Sequence, residues 1–527
     1  MGKYIFITGG VVSSLGKGIS GASIGKLLQL HGITVTMIKF DPYINVDPGT
    51  MNPYQHGEVF VTSDGTESDL DLGTYERFLC INTSRSNTNT AGDIYQTVIN
   101  KERKGDYNGN TVQVIPHITD EIKKRFRILE NNFDVSIIEI GGTIGDIESL
   151  PFAEAVRQFQ LENKNEDVFS IHVTFIPYIN GANELKTKPT QHSVNKLREI
   201  GISPNMIICR TEHKLNVSIK KKISLFCNVD ENYVIEAHDS PCIYFIPEYF
   251  HKQNVDSFIM EKLNIKSIKK FDKKWFSDIK LFSRFNKKID IAIIGKYTTS
   301  RDAYKSIDES LNIAAARLNT KVHIQYISTD DYNLIKKLKK CNAIIVPGGF
   351  GNRGIESKIR SVTYARENKI PFLGICLGMH CSVIEVSRNL AKLENANSTE
   401  FDNNTKYPVI KILDEQKKIK HLGGTMRLGS YKSKVKKNTL AYKLYNNTEI
   451  NEIHRHRYEM NPEFIDILEK VGLFVSAYHK EILPEIVEMK DHPFFIGVQY
   501  HPEFTSNLTK VNPIFYGLIK AALKTLR

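Results

Sequence analysis

Residues 4–32 read YIFITGGVVSSLGKGISGASIGKLLQLHG, and the order of these stretches constrains the fold more than any other feature of the chain. A short, wholly apolar run is a strand buried on both faces. A glycine-rich loop follows it, then a helix-periodic stretch ended by Gly32, and a second apolar run, TVTMIKFD, begins almost at once. Strand, glycine loop and helix in this order predict a parallel sheet, because a parallel neighbour is reached only through a crossover. The pattern restarts at IDIAIIGKY (289–297), continues through the amphipathic DAYKSIDESLNIAAARL, and returns to strands at VHIQYIS and NAIIVPGGFG. The expected class is therefore α/β, with two doubly wound parallel-sheet domains.

A chain of 527 residues is too long for one ordinary core, and its charge marks where it divides. Segment 266–288 holds nine Lys/Arg and two Asp, so +7 of the formal +12 lies in 23 residues. Phe271, Trp275, Phe276, Phe282 and Phe285 interleave with those charges. Such a stretch could stack single-stranded nucleic acid. The strand-like runs on both sides favour a linker whose aromatics dock while its lysines stay solvated. The expected division is 1–265, a basic linker 266–288, and 289–527, with no nucleic-acid partner. No apolar run approaches the roughly 20 residues that span a bilayer, and the N-terminal stretch lacks a basic head and cleavage site, so a cytoplasmic protein without membrane contact is expected. Seven cysteines form no CxxC pair. Cys80, Cys209, Cys227, Cys242, Cys341 and Cys381 are accordingly read as small buried hydrophobes.

The loop after the first strand has the chemistry of a phosphate cradle: glycines let backbone N–H groups converge on an anion, the helix N-terminus adds a positive dipole, and Lys17 adds a formal charge. Its spacing departs from GxxxxGK[ST], since five residues separate Gly10 from Gly16 and Gly18 stands where the metal-binding hydroxyl would be. Metal ligands must then come from elsewhere. Candidates are Glu139 at the end of FDVSIIEI, Asp146 and Glu148 in the glycine loop after it, and Asp69 and Asp71 in SDLDLGTYERF. Magnesium needs only one or two such carboxylates beside phosphate and water. KTKPTQHS, 186–193, sets Lys186 and Lys188 beside Thr and Gln donors, a composition suited to a second triphosphate.

In the second half, IPFLGICLGMH places Cys376 at a strand-to-helix turn, where small neighbours relieve strain and the helix N-terminus favours a thiolate. A nucleophile there needs a base and an orienting acid, and FFIGVQYHPEF supplies His501 and Glu503, 125 residues beyond Cys376 in the case of His501.

These strings carry a resemblance. VPGGFGNRG, GICLGMH and HPEF are similar, in order, to the oxyanion loop, elbow and His/Glu segment of class I glutamine amidotransferases. GGVVSSLGKGIS, KFDPYINVDPGTMNPYQHGEVFVTSDG, VQVIPHIT, EIGGTIGDIESLPF, KTKPTQHS, LGGTMRLG and HRHRYEM extend it over nearly the whole chain, which resembles the CTP synthases. The resemblance implies a P-loop-like synthetase (amidoligase) domain joined to a class I glutaminase domain, and ATP-dependent amination of UTP to CTP with glutamine or free ammonia as nitrogen donor. A 4-phosphorylated UTP intermediate and internally passed ammonia belong to that expectation. Mg2+ as metal, GTP as allosteric activator, CTP as product and inhibitor, and a homotetramer are implied with it.

The resemblance also assigns residues. Ser14, Leu15, Gly16, Lys17, Gly18 and Ile19 would cradle ATP phosphates with Lys39, and Asp71 and Glu139 would hold magnesium. Ser13, Asp146, Ile147, Glu148, Lys186, Thr187, Lys188, Pro189, Thr190, Gln191 and Lys222 match the UTP/CTP site; His238, Asp239 and Ser240 match an adenine-contacting stretch, although HDSPC departs from the family's usual sequence. In the glutaminase half Cys376 would attack, His501 would shuttle the proton and Glu503 would orient it. Gly349 and Leu377 would supply the oxyanion hole, and Gly378, Met379, His380, Glu400 and Arg457 the rest of the glutamine site. His56 and Val59 match the ammonia route, and LGGTMRLG, with Arg427, the GTP response. His380 replaces the family's usual Gln, which leaves two readings, a tolerated substitution or weakened or pH-dependent glutamine use, that comparison with His380→Gln across pH 6 to 8 separates. Two other readings share parts of the pattern: another ATP-using amidotransferase, such as a GMP synthetase or cobyrinate amidase, and a non-catalytic scaffold built around the basic linker.

Overall fold

The computed structural model describes residues 2–412 and 426–526. They divide into two compact units, Met1–Asp47 with Thr74–Lys280, and Pro48–Gly73 with Leu281–Arg527.

In the first unit, strands β1 (Lys3–Gly9), β2 (Val35–Asp41), β3 (Thr88–Thr90), β4 (Val135–Ile140), β5 (Val168–Phe175), β6 (Met206–Thr211) and β7 (Val234–His238) form a seven-stranded sheet in the order β7-β6-β5-β1-β4-β2-β3. Every pairing in it is parallel. The first strand is central because its residues are apolar without alternation: Ile5, Phe6 and Ile7 are wholly buried. On one face Phe6, Phe40, Phe126 and Phe159 meet edge to face, with centroids 4.9 to 5.6 Å apart, a geometry worth roughly 0.5–1.5 kcal/mol per pair beyond burial. Helix α1 (Lys17–Leu30) connects β1 to β2, and α2 (Lys188–Glu199) follows β5. Chain order reverses beside β1, so the carboxyl ends of β1, β4 and β5 open onto a switch point, where ligands of such sheets bind.

Residues of the basic stretch up to Lys280 pack within this unit. Ile268 and Lys269 donate backbone N–H groups to His31 O, Phe271 stacks on His251 at 4.4 Å, and buried Trp275 donates Nε1–H to Tyr244 O at 3.3 Å. Lys269, Lys270, Lys273 and Lys274 stay exposed.

The second unit is built on a nine-stranded sheet of β8 (Lys287–Gly295), β9 (Thr320–Ser328), β10 (Ala343–Val346), β11 (Phe372–Ile375), β12 (Arg427–Val435), β13 (Glu449–His456), β14 (Leu473–His479), β15 (Leu483–Met489) and β16 (Phe495–Val498), in the order β9-β8-β10-β11-β16-β15-β14-β12-β13. Its first five strands are parallel, and the rest add on antiparallel. The sheet is thus parallel where the sequence predicted it and mixed beyond. Along β8, Ile289, Ile291 and Ile293 enter one core while Ala292 and Ile294 enter the other, as period-two alternation requires of a strand covered on both faces. Helices α3 (Ile355–Glu367) and α4 (Leu377–Asn389) pack over this sheet.

Segment 48–73, from the first half of the sequence, belongs to the second unit by its packing. Tyr54 OH donates to Lys296 O at 2.7 Å, the Glu58 carboxylate accepts from Ser306 N at 2.9 Å, Arg455 Nε donates to Glu67 at 2.8 Å, and Phe60 packs on Phe504. Four of the six cysteines read as buried are so; Cys80 and Cys242 are only half-buried. Among the described residues no helix is long and apolar enough to cross a membrane.

Candidate functional site

In the first unit the loop after β1 crosses the carboxyl edge of the sheet before α1 begins at Lys17. It turns through left-handed backbone at Val11 (φ 81°), Ser14 (φ 60°) and Gly16 (φ 85°), a conformation that costs a side chain about 1–2 kcal/mol and glycine almost nothing. Beneath the loop lies a buried polar chain: Thr8 Oγ1 is 2.9 Å from His172 Nδ1, and His172 Nε2 is 2.7 Å from Ser193 Oγ on α2. Burial, aided by the Lys17 charge, pulls His172 down to about 3, so a neutral ring ties strand to helix under the loop.

Lys17 Nζ donates to Gly142 O at 2.7 Å, which holds its charge against the loop that follows β4. Lys39 of β2 lies 3.2 Å from Glu139 of β4 and 3.5 Å from Asp41, and the Tyr75 hydroxyl donates to Glu139. Buried ions cost several kcal/mol each unless paired, and these groups pair one another at the strand ends. Asp71 stands one turn before Tyr75 in the helix Leu70–Leu79, its N–H capped by Asp69 Oδ1 at 3.0 Å. Glu139 offers the hard oxygen donors that magnesium takes, while Asp71 belongs to the second unit. No group of three or more His, Cys, Asp or Glu among the described residues is arranged to hold a metal alone, so an ion there would complete its shell with phosphate and water.

The pyrimidine candidates lie in the loop that follows β4, in the loop and first turn of α2 that follow β5, in the helix Val217–Cys227 and in the phosphate loop. Asp146 accepts from Thr143 N at 3.1 Å, while Ile147 and Glu148 are exposed beside it. Lys186 pairs with Glu184, Gln191 Nε2 donates to Thr187 Oγ1 at 3.0 Å, and buried Thr190 donates to Phe175 O at 3.1 Å. Lys188 and Pro189 open α2, the Lys188 ammonium lies over the Phe226 ring, and Lys222 is exposed. Ser13 sits exposed in the phosphate loop. His238, Asp239 and Ser240 close edge strand β7, and each is engaged locally, with Glu236, Arg210 and Cys242 O respectively.

In the second unit β11 delivers Cys376 at φ 50°, ψ −102°, directly before α4. So sharp a turn requires small neighbours: a Cβ on Gly378 would lie 1.9 Å from Val346 O. His501 follows β16, and its Nδ1 is 2.7 Å from Glu503 Oε1. Its ring and the Cβ of Cys376 both face Gly348, within 2.8 and 3.7 Å of where a Cβ on that glycine would stand. No hydrogen bond of normal geometry reaches His501 Nε2. Burial would lower the pKa of His501, but the Glu503 carboxylate and the neighbouring Cys376 sulfur outweigh it and push the ring up to about 10. The ring is thus built to hold a proton.

Pro347–Gly349 runs beside this pair, and the N–H of Leu377 opens α4 next to Cys376. Glu400 Oε1 accepts from Gly351 N at 2.7 Å, and burial raises its pKa against the pull of Gly351, Lys296 and Lys358. Arg457 is half-buried at the end of β13. A cavity of about 270 Å³, lined by Gly348, Gly349 and His501 and also by Pro53, Glu58 and Val59, adjoins the site; His56 is not among its lining residues.

Two sequence expectations change here. His380 is buried, and burial pulls its ring down to about 4 against the raising effects of Gln499 and the Tyr458 backbone. That direction favours a neutral ring at pH 6–8, and with it the reading of His380 as a tolerated substitution. Arg427 is locked between Glu459 at 2.7 Å and Glu485 at 2.8 Å and packs over Tyr431, so its charge is neutralised inside the fold. The preceding residues of that motif, 422–425, lie outside the described residues. Sequence reasoning also missed Lys358, a buried cation whose Nζ donates to Pro347 O at 3.4 Å and whose pKa burial lowers to about 8. No sequence signal marks it. Gln499, beside the cysteine, is legible only as a letter of FFIGVQYHPEF.

A cysteine elbow with a His–Glu partner on a mixed sheet defines the class: residues 300–521 match the class I glutamine amidotransferases. Residues 3–265 match the family described as CTP synthase N-terminus. The chain is 53% identical over 529 residues to a CTP synthase of Caldanaerobacter subterraneus subsp. tengcongensis, covering 99% of this chain and 98% of that protein. It is 52% identical over 531 residues to a CTP synthase of Methanocaldococcus jannaschii, with the same coverage. Among solved structures, the glutaminase domain of Trypanosoma brucei CTPS with bound acivicin is 34% identical, with a TM-score of 0.42, covering 45% of this chain and 94% of that one. The chain belongs to the CTP synthase family. Matches spanning both halves do not favour another amidotransferase or a non-catalytic scaffold.

Proposed function

We propose that the protein makes CTP from UTP, using ATP to activate the uracil and glutamine to supply nitrogen. The observation that carries the glutaminase half is the Cys376–His501–Glu503 arrangement at the elbow. With its proton held on His501, Cys376 attacks the glutamine carboxamide carbon as the thiolate. The resulting oxyanion is met by the N–H groups of Gly349 and Leu377, donors of a kind commonly worth about 2.7–4 kcal/mol in the transition state. His501, kept cationic by Glu503, gives its proton to the leaving nitrogen, and ammonia departs from a thioester. The ring then takes a proton from water, which attacks the thioester and releases glutamate. Glu400 and Arg457 hold the amino and carboxylate ends of glutamine, together with Gly378, Met379 and His380.

In the synthetase half a uracil O4 is a poor leaving group until it carries phosphate. Its attack on the γ-phosphorus of ATP releases ADP; ammonia then adds at C4 and inorganic phosphate leaves. This transfer is mainly electrostatic, and residues 14–19 with Lys17 and Lys39 serve it at the carboxyl edge of the first sheet. Asp71 and Glu139 would hold Mg2+, which supplies charge neutralisation on the phosphates. Residues 146–148, 186–191, Ser13 and Lys222 take the pyrimidine nucleotide, and 238–240 the adenine. Val59 lines the cavity beside His501, which supports the 56–59 segment as part of the ammonia route. Activation by GTP, inhibition by CTP, a homotetramer and a cytoplasmic setting complete the reading; likeness to the family supports them.

The test separates the two chemistries. Cys376→Ala is expected to abolish glutamine-dependent CTP formation while CTP still forms from ammonium; loss of both would refute the division of labour.

A further inference from the structure

One neighbour of Cys376 is left without a task by the reaction above, and it bonds to His380 of the glutamine pocket. Gln499 stands directly after β16, two residues before His501, and is wholly buried. Its Nε2 donates to Cys376 Sγ at 3.8 Å, and its Oε1 is 2.9 Å from Nε2 of buried His380. An amide oxygen only accepts, so His380 Nε2 carries hydrogen. Reversing the amide would need the other ring tautomer, with Nε2 accepting, and would set an amide oxygen against the sulfur, where it could accept from a thiol but not support a thiolate. Gln499 N donates to Glu485 O at 2.9 Å, which fixes its backbone as well. The sulfur therefore has one partner for each protonation state: as a thiol it donates to Arg455 O at 3.8 Å, and as a thiolate it accepts from Gln499.

We propose that Gln499 is a further catalytic residue of the glutaminase step, donating to the Cys376 thiolate, and that His380 is its positioning residue, holding the amide with its N–H toward sulfur. A donor fixed before reaction favours the charged form without reorganising, and bonds to ions are the strong ones. The side chain at 380 then acts through the cysteine, and a Gln there, which also carries an N–H donor, would serve the same end. This inference rests on Cys376 being the nucleophile.

The test uses the full chain and the variants Gln499→Leu, Gln499→Glu, His380→Leu and His380→Gln. Each is alkylated with iodoacetamide from pH 5 to 9, with the rate in Cys376→Ala subtracted, and assayed for glutamine hydrolysis. In both Gln499 variants the alkylation midpoint should move to higher pH, and kcat for glutamine should fall about tenfold, the size of one hydrogen bond to a charged group, with KM little changed. Gln499→Glu keeps the side-chain volume but sets a carboxylate against the sulfur, so its shift counts only beside one in Gln499→Leu, which removes the donor without adding charge. His380→Leu should move both readouts the same way, and His380→Gln should restore them. Wild-type alkylation profiles in both Gln499 variants, with Cys376→Ala inactive, would overturn this inference alone. Wild-type glutamine hydrolysis in Cys376→Ala would instead overturn the nucleophile assignment beneath it.

Discussion

At the scale of single residues, the elbow shows how burial decides what a titratable group can do. His501 and His380 are both buried within reach of Cys376's surroundings, yet one is pushed up to about 10 and the other down to about 4. The difference is the partner: a carboxylate beside His501, a neutral amide beside His380. Because the folded pKa of His380 lies below its unfolded value, the unfolded chain binds the extra proton, and the stability tied to the neutral ring is lost as pH falls from about 6.5 toward 4. The unfolding free energy of wild type minus that of His380→Gln is therefore expected to drop by about 1.4 kcal/mol per pH unit across that window and to stay level above it. Denaturant titrations at several pH values check this, and a difference that stays constant below pH 6 would show the ring to be charged. Glutamine KM should follow the same pH curve in both proteins between pH 6 and 8.

At the scale of elements, the basic stretch is a docking strap whose apolar residues matter and whose charges do not. Trp275 is 5% exposed and lies under the Lys26 ammonium of α1, the helix that opens at the phosphate loop. Trp275→Ala should cost about 3–5 kcal/mol, whereas replacing Lys269, Lys270, Lys273 and Lys274 by Gln should change stability by less than about 0.5 kcal/mol; thermal unfolding of the two variants compares them. The first sheet was legible because its strands are apolar on both faces and its loops are marked by glycine, and the elbow because the same grammar recurs around Cys376. What the sequence hid has physical causes. Strands β12, β13 and β15 carry Arg427, His454, His456 and Glu485 into the interior, where they neutralise or pair one another, so their pattern looks exposed. Segment 48–73 has no periodic signal and joins the second unit through Glu58, Glu67 and Tyr54, contacts made across more than two hundred residues of chain. Lys358 looks like any helical lysine, since only the fold places it beneath Pro347.

At the scale of the whole molecule, two chemistries share one chain, and a lesion in one should leave the other standing. Lys17 holds its charge at the carboxyl edge of the first sheet, so Lys17→Ala is expected to cut CTP synthesis from glutamine and from ammonium alike by at least about a hundredfold, as loss of a transition-state donor does, while glutamine hydrolysis persists. Ammonium-dependent synthesis at the wild-type rate in that variant would remove Lys17 from the mechanism. The central claim is that ammonia freed at Cys376 ends as the 4-amino group of CTP at the expense of one phosphoryl transfer. It is tested most directly by incubating purified protein with UTP, ATP, magnesium and glutamine and following CTP, inorganic phosphate and glutamate in one reaction. CTP, inorganic phosphate and glutamate are expected to rise together in equal amounts; glutamate and phosphate accumulating without CTP would show that the freed ammonia does not reach the pyrimidine.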